Sequence, residues 1–460
     1  MARQTSSLDF TVRRKSAELV APAIATPHEL KQLSGIDNQH SLRHHHPLIQ
    51  FYRHQPLMAG KDPVEVIKQA LAKTLVFYYP LAGRPRESPN GELKVECNGE
   101  GVTFIEADAD VTLDQFGDNL MPPFPCVDKL LYNVPDSHGA TDSPLLLLQV
   151  TRLKCGGFIF ALSFNHSMCD AFGISQFLNA LAEISCGALK PSILPVWCRE
   201  ILCARDPPRI TRSHREFQQE IPAIRALLPH DIATKSSSFE VPTAWLWRCR
   251  TKSLEWQNPG QEGNAWVCPA AVTTVEKLLG HPLEYALELV KNVKYETNEE
   301  YVHSVIDLLA TKGGHCYPRL GSFIVSDQTK VGFTNVDFGW GKALYIGVAK
   351  CDFGDLLAVS VYVQYTNSKG EQGKVVSICL PQYAMDKFER EFDNRDVFNE
   401  VLLAIEESLR NPAKAFPRIA SNNDGRCDYL LTDDATLPPL DNKKKVSMES
   451  ATERSFAQVC

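Results

Sequence analysis

The 14 cysteines of this 460-residue chain include no C-x-x-C pair and no zinc-type spacing, so the usual structural zinc frames are excluded. Several of them (Cys155, Cys169, Cys249, Cys268 and Cys379) sit in apolar runs. Buried free thiols in a reducing compartment are therefore expected, not a disulfide framework. The N-terminal stretch MARQTSSLDFTVRRKSAEL has no apolar core of the kind a secretory signal needs. The longest apolar run, PLLLLQV at 144 to 150, is too short to span a bilayer. Positive charge is not in excess either: 48 Lys and Arg against 55 Asp and Glu give a net charge of -7. That balance offers no bulk attraction to nucleic acid or anionic lipid. A cytoplasmic, soluble protein with neither as partner is expected. Nucleotide loops, dinucleotide fingerprints, the G-x-S-x-G nucleophile elbow, the kinase H-R-D loop and internal repeats are all missing.

What is present is an ordinary globular composition, 44% hydrophobic and 22% charged. Apolar residues recur at helical spacing in PVEVIKQALAKTLVFY (63 to 78), and Pro80 and Gly83 then break the pattern. GELKVECNGEGVTFIEADAD (91 to 110) predicts two short strands around a glycine turn. PLLLLQVTRLKCGGFIFALSFNH (144 to 166) predicts two long strands turning at Gly156 and Gly157. Asp170 is placed to cap a helix whose apolar stripe includes Phe177, Leu178, Leu181 and Ile184. A Pro-rich connector follows, then a second mixed half with a helix ending in EEYVHSVIDLLATK, strands at LLAVSVYVQYTN and KVVSICLP, and a last helix at 384 to 394. The polar tail beyond it predicts disorder.

Three H-x-x-x-D patterns occur. His138 and Asp142 lie in a polar turn, and His303 and Asp307 share a helix face where a local contact suffices to explain them. His166 and Asp170 differ in context, because His166 ends an apolar strand just before a tight turn. From the residues alone His166 is either a general base or a satisfied structural histidine. VDFGWGKA (336 to 343), with glycines around a tryptophan, reads by itself as a tight packing corner. HHH at 44 to 46 reads as a solvent-facing strand start, since alternate side chains of an extended segment diverge and cannot share one metal ion. IEADADVTLDQ (105 to 115) lacks calcium-loop spacing and reads as an acidic surface turn.

Together, His166-Ser-Met-Cys-Asp170 and, about 170 residues later, Asp337-Phe338-Gly339-Trp340-Gly341 resemble the plant BAHD family of acyl-CoA-dependent acyltransferases. LSGIDNQ (33 to 39), YPLAGR (79 to 84), SSFEVPTAWLWRCR (237 to 250) and SDQTKVGFTNVDFGWGKA (326 to 343) agree, and LPVWCREILCARDPP (194 to 208) is similar to the alcohol acyltransferase branch. The resemblance implies an α/β protein with mixed sheets in two similar chloramphenicol-acetyltransferase-like domains and a channel between them. It divides the chain into a first domain at 1–189, a crossover at 190–217, a second domain at 218–394 and an atypical tail at 395–460. It further implies a monomer that needs neither metal nor resident cofactor, takes acyl-CoA as co-substrate and esterifies a small alcohol, with His166 as general base. On the same likeness Asp170, paired to an arginine, and Asp337 and Trp340 are structural, and Gly173, Gly339 and Gly341 serve tight turns. Ser326 is a candidate oxyanion donor, and Thr243 a candidate residue of the CoA channel.

The chain departs from the family pattern at two places. After HREF (214 to 217) a spacer and strand are missing, and after CRTKSLEW (249 to 256) the six residues QNPGQE replace a strand with an N-x-R motif, where the arginine partner of Asp170 is expected. Two further readings follow: a non-catalytic relative, or a hydrolase in which His166 activates water.

Overall fold

The computed structural model describes residues 8–117, 120, 122, 124–133, 142–214, 264, 267, 269, 281, 296–312, 324–350, 359–366, 372–378 and 428–433. The strands are β1 (Val12–Arg14), β2 (Glu18–Val20), β3 (Leu30–Gln32), β4 (His45–Tyr52), β5 (Arg84–Glu87), β6 (Leu93–Glu96) and β7 (Val102–Ala109). They continue with β8 (Leu146–Leu153), β9 (Phe158–Asn165), β10 (Ile324–Asp327), β11 (Tyr345–Val348), β12 (Val359–Thr366), β13 (Gln372–Ile378) and β14 (Asp428–Asp433). The helices are α1 (Pro63–Phe77), α2 (Val127–Leu130), α3 (Ala171–Ser185) and α4 (Glu299–Lys312).

The main sheet runs β1-β7-β8-β9-β4-β11, with β2 also on β7. It is mixed: β7 and β8 are parallel, while β8–β9, β9–β4 and β4–β11 are antiparallel. Every residue of β9 is buried, so the alternation expected of a one-sided strand is replaced by burial on both faces. Helices α1 and α3 supply part of that cover, and both follow the apolar spacing read from sequence: Val64, Ile67, Leu71 and Leu75 in α1, Phe177, Leu178, Leu181 and Ile184 in α3, all buried. The β8–β9 hairpin turns where Gly156 has φ +81°, and a Cβ on Gly157 would stand 2.5 Å from the carbonyl oxygen of Tyr52.

Several expectations are revised. The strands predicted at 91 to 110 form, but they part company: β6 joins β3 and β5 in a small antiparallel sheet, while β7 enters the main sheet. The acidic stretch beginning at Ile105 is therefore strand as far as Ala109, with Glu106 paired to Lys15 and Arg152 at 2.6 and 2.7 Å. Asp307 is no local partner of His303. It is fully buried and accepts from Arg205 N and Nε at 2.7 and 2.6 Å and from Arg209 N at 2.8 Å, clasping the connector against α4. His303 instead lies 3.9 Å from Glu299, one turn back. Asp142, from the first H-x-x-x-D pattern, pairs with Arg86. In the tail expected to be disordered, β14 lies antiparallel on β13, with Tyr429 opposite Ser377. The helix expected at 384 to 394 lies outside the described residues.

Of the cysteines named from sequence, Cys169 is buried and Cys155 is exposed, at the β8–β9 turn; neither is in a disulfide. Among the described residues no helix is long and apolar enough to cross a membrane.

Candidate active site

His166 stands one residue beyond β9. Its backbone N–H donates to the carbonyl of His44 at 2.9 Å, extending the β4–β9 ladder by one rung. The chain then turns sharply: Ser167 N and Oγ both reach Asn165 Oδ1, at 3.1 and 2.5 Å, and Met168 N reaches Asn165 O at 3.0 Å. Asp170 begins α3, its Oδ1 accepting from Phe172 N at 2.9 Å and Gly173 N at 3.0 Å. The carboxylate thus satisfies two of the backbone donors that a helix start leaves without partners. Gly173 lies in the first turn of α3, not in a tight turn of its own.

The imidazole is oriented by Asn264. Nδ1 of His166 lies 3.1 Å from Asn264 Oδ1. Both amide hydrogens of Asn264 are engaged, as Nδ2 donates to Asp37 Oδ1 at 2.8 Å and to the His166 carbonyl at 2.7 Å. The amide oxygen is therefore the atom that faces the ring. An amide oxygen only accepts, so Nδ1 carries the hydrogen and Nε2 keeps its lone pair.

Asp37 is the anchor beneath this contact. Fully buried, it accepts from Asn264 N at 3.0 Å, Asn264 Nδ2 at 2.8 Å, Ser34 N at 3.0 Å, Ser34 Oγ at 2.7 Å and Arg199 Nη1. Arg199, 3% exposed, also donates Nη2 to the Met168 carbonyl at 2.7 Å and stacks on Trp197 at 4.2 Å. The carboxylate of this buried ion pair is amply hydrogen-bonded, whereas Nε of Arg199 has no hydrogen-bond partner among the described residues. The result is a closed circuit from the Ser34–Asp37 turn through Arg199 to the turn that carries His166.

His46 is buried and His44 only partly exposed, contrary to the solvent-facing expectation for HHH. Period-two alternation sends them to one side of the strand and His45 to the other, where Nε2 of His45 lies 2.9 Å from Pro144 O. Their rings flank His166, with centroids 5.8 Å (His44) and 5.6 Å (His46) away, and Phe164 lies 5.7 Å from it. Burial, with the nearness of His166, pushes His44 down to about 3, and burial holds His46 well below the ordinary imidazole range. Burial lowers His166 too, but its own backbone hydrogen bond, Asp170, Asn264 and Asp37 act in the opposite direction. The balance lowers His166 from the ordinary imidazole value, which favours the neutral ring. Among the described residues no group of His, Cys, Asp and Glu could hold a metal ion.

The DFGWG segment packs on the opposite strand ends. Asp337 Oδ1 accepts from Gly339 N at 2.7 Å and Gly341 N at 2.8 Å, closing a loop in which both glycines have positive φ, +100° and +86°. Phe338 and Trp340 are buried, Phe338 against Tyr52 and Phe160, Trp340 edge-on to Phe158. Ser326 is half-buried in β10, opposite Val361 of β12 in the second sheet. Thr243 and the two apparently shortened places lie outside the described residues.

Sequence reasoning did not single out Asn264, Asp37, Arg199, His44 or His46 as parts of the site. Asn264 is 98 residues from His166 and 227 from Asp37, so no local spacing signals their meeting.

A profile of the Transferase family matches residues 10–227 and 254–395. The chain is 53% identical to 13-hydroxylupanine O-tigloyltransferase of Lupinus albus, over 86% of this chain and 97% of that protein. It is 50% identical to benzyl alcohol O-benzoyltransferase of Nicotiana tabacum, over 91% and 99%. In fold it is similar to the crystal structure of vinorine synthase, with a TM-score of 0.55 at 21% identity, covering 79% of this chain and 94% of that one. The chain belongs to the Transferase family, the BAHD acyltransferases.

Proposed function

We propose that the protein moves an acyl group from acyl-CoA to an alcohol hydroxyl, with His166 as the general base. The observation that carries this reading is the Asn264 contact, which favours the hydrogen on Nδ1 of His166 and so the basic lone pair on Nε2. The alcohol's hydrogen passes to Nε2 as its oxygen attacks the thioester carbonyl. The tetrahedral intermediate collapses, the C–S bond breaks, and the proton returns from His166 to the CoA thiolate, giving free CoA and an ester. Such assistance is worth about 10²–10⁴ in rate. Ser326 is the candidate donor to the oxyanion, and Thr243 the candidate contact to CoA. The two domains, at 1–189 and 218–394, are proposed to enclose the channel in which both substrates meet, in a cytoplasmic monomer.

The relatives' names, a tigloyltransferase and a benzoyltransferase, favour a short branched or aromatic acyl group, and the second names a small alcohol, benzyl alcohol, as acceptor. Purified protein given benzoyl-CoA or tigloyl-CoA and benzyl alcohol should release CoA and form the ester together, and His166→Ala should lose at least a hundredfold. CoA release without ester would favour the hydrolase. No release over a broad panel, with no thermal stabilisation by CoA, would leave the non-catalytic relative standing.

A further inference from the structure

Three rings lie against His166. Phe164 lies 5.7 Å from it at 42°, His44 5.8 Å at 47° and His46 5.6 Å at 87°, an edge-to-face contact. His46 in turn packs 5.4 Å from Phe164. We propose that His44, His46 and Phe164 form an aromatic cage around His166 that stabilises the imidazolium it becomes on taking the alcohol's proton. This rests on the general-base role given above.

His44, just before β4, and His46, within it, are positioning residues and not rival bases. The groups that face this cluster decide where a proton settles. Asp170, from the start of α3, and Asp37, beneath Asn264, both favour a proton on His166. His45 turns away to Pro144, and the cation of Arg199 is held by Asp37. His44 is engaged by the backbone of Ser41 and kept neutral by burial, and His46 is kept neutral in the same way. A neutral ring offers a cation its π face, whereas a protonated one would repel it. The cage therefore works only while His44 and His46 carry no charge. A cation within about 6 Å of a ring centroid gains a contribution that corresponds to roughly two- to tenfold per ring at these distances.

The test separates ring from charge. His44→Leu, His46→Leu and the double variant remove the π faces, and His44→Phe and His46→Phe keep them. Two readouts are taken: the NMR titration of the His166 ring without substrate, and kcat, KM and their pH profile in the acyl transfer assay. The leucine double variant should lower the His166 pKa, move the acid limb of kcat/KM to lower pH and cut kcat by about tenfold, with KM within about twofold. The phenylalanine variants should recover most of that loss. Should the double leucine variant fail to fold, His44→Leu, at the partly exposed rim, is read alone. An unmoved or raised His166 pKa in the leucine variants would overturn the proposal, as would phenylalanine variants as impaired as leucine ones. Because the titration needs no turnover, a protein without acyltransferase activity and a protein without a cage give different results.

Discussion

The side-chain oxygen of Asn264 lies 3.1 Å from Nδ1 of His166, and the same amide donates back to the carbonyl of that histidine. One residue thus fixes both the tautomer and the ring plane of the proposed base.

Removing that amide is expected to impair the chemistry more than binding. Asn264→Leu should lower kcat by about one to two orders of magnitude while KM moves little, since a misplaced base loses orientation. Steady-state kinetics with benzoyl-CoA and benzyl alcohol measure it. A variant with full kcat would show that the tautomer is set elsewhere.

Asp37 is expected to matter to stability first. Asp37→Asn leaves Arg199 buried without its counter-charge, and breaking a buried pair from one side costs about 3–5 kcal/mol. Urea denaturation of the variant should show a loss of that size. A change below about 1 kcal/mol would mean that Arg199 finds another partner.

For Asp170 the capping geometry predicts a graded series. Asparagine caps helices nearly as well as aspartate, so Asp170→Asn should melt close to the parent, whereas Asp170→Ala should lose about 0.5–2 kcal/mol. In both variants the His166 pKa should fall, because the carboxylate favours its protonated form. A rise on NMR titration would contradict the arrangement described.

Acid should destabilise the fold through His44. Its folded pKa, about 3, lies below the ordinary 6.5, so below 6.5 the unfolded chain binds a proton that the folded chain refuses. Stability therefore falls as pH drops from 6.5, and this contribution levels off near 3. His44→Phe should show a shallower decline between pH 6.5 and 4.5 in urea titrations. An equal slope in parent and variant would assign the acid sensitivity to other groups.

Much of this frame is written locally in the chain. Helices α1 and α3 follow the spacing of Val64, Ile67 and Leu71 and of Phe177, Leu178 and Leu181, and the β8–β9 turn follows Gly156 and Gly157, because each depends on near neighbours. His166 stood out because it ends a strand before a tight turn. The remainder of the site was hidden for a physical reason. Asp37, Arg199 and Asn264 are polar residues far apart along the chain, and only tertiary packing makes them one network. His44 and His46 misled because three polar residues at a strand start suggest solvent, whereas His46 is buried against Phe164 and both rings lie beside His166. The parting of β6 and β7 was equally invisible, since strand propensity does not name a partner.

Strand β11 has a consequence for how the molecule can be divided. It zips onto β4 from nearly 300 residues downstream, Tyr345 opposite Phe51, and brings Phe338 and Trp340 onto Tyr52, Phe160 and Phe158. A polypeptide released before that point, whether a nascent chain or an expression fragment ending at the crossover, carries an unzipped β4 rim and a bare patch of rings, an invitation to intermolecular pairing. The two halves are thus better produced as one polypeptide, or co-expressed so that the later half can supply the missing rung.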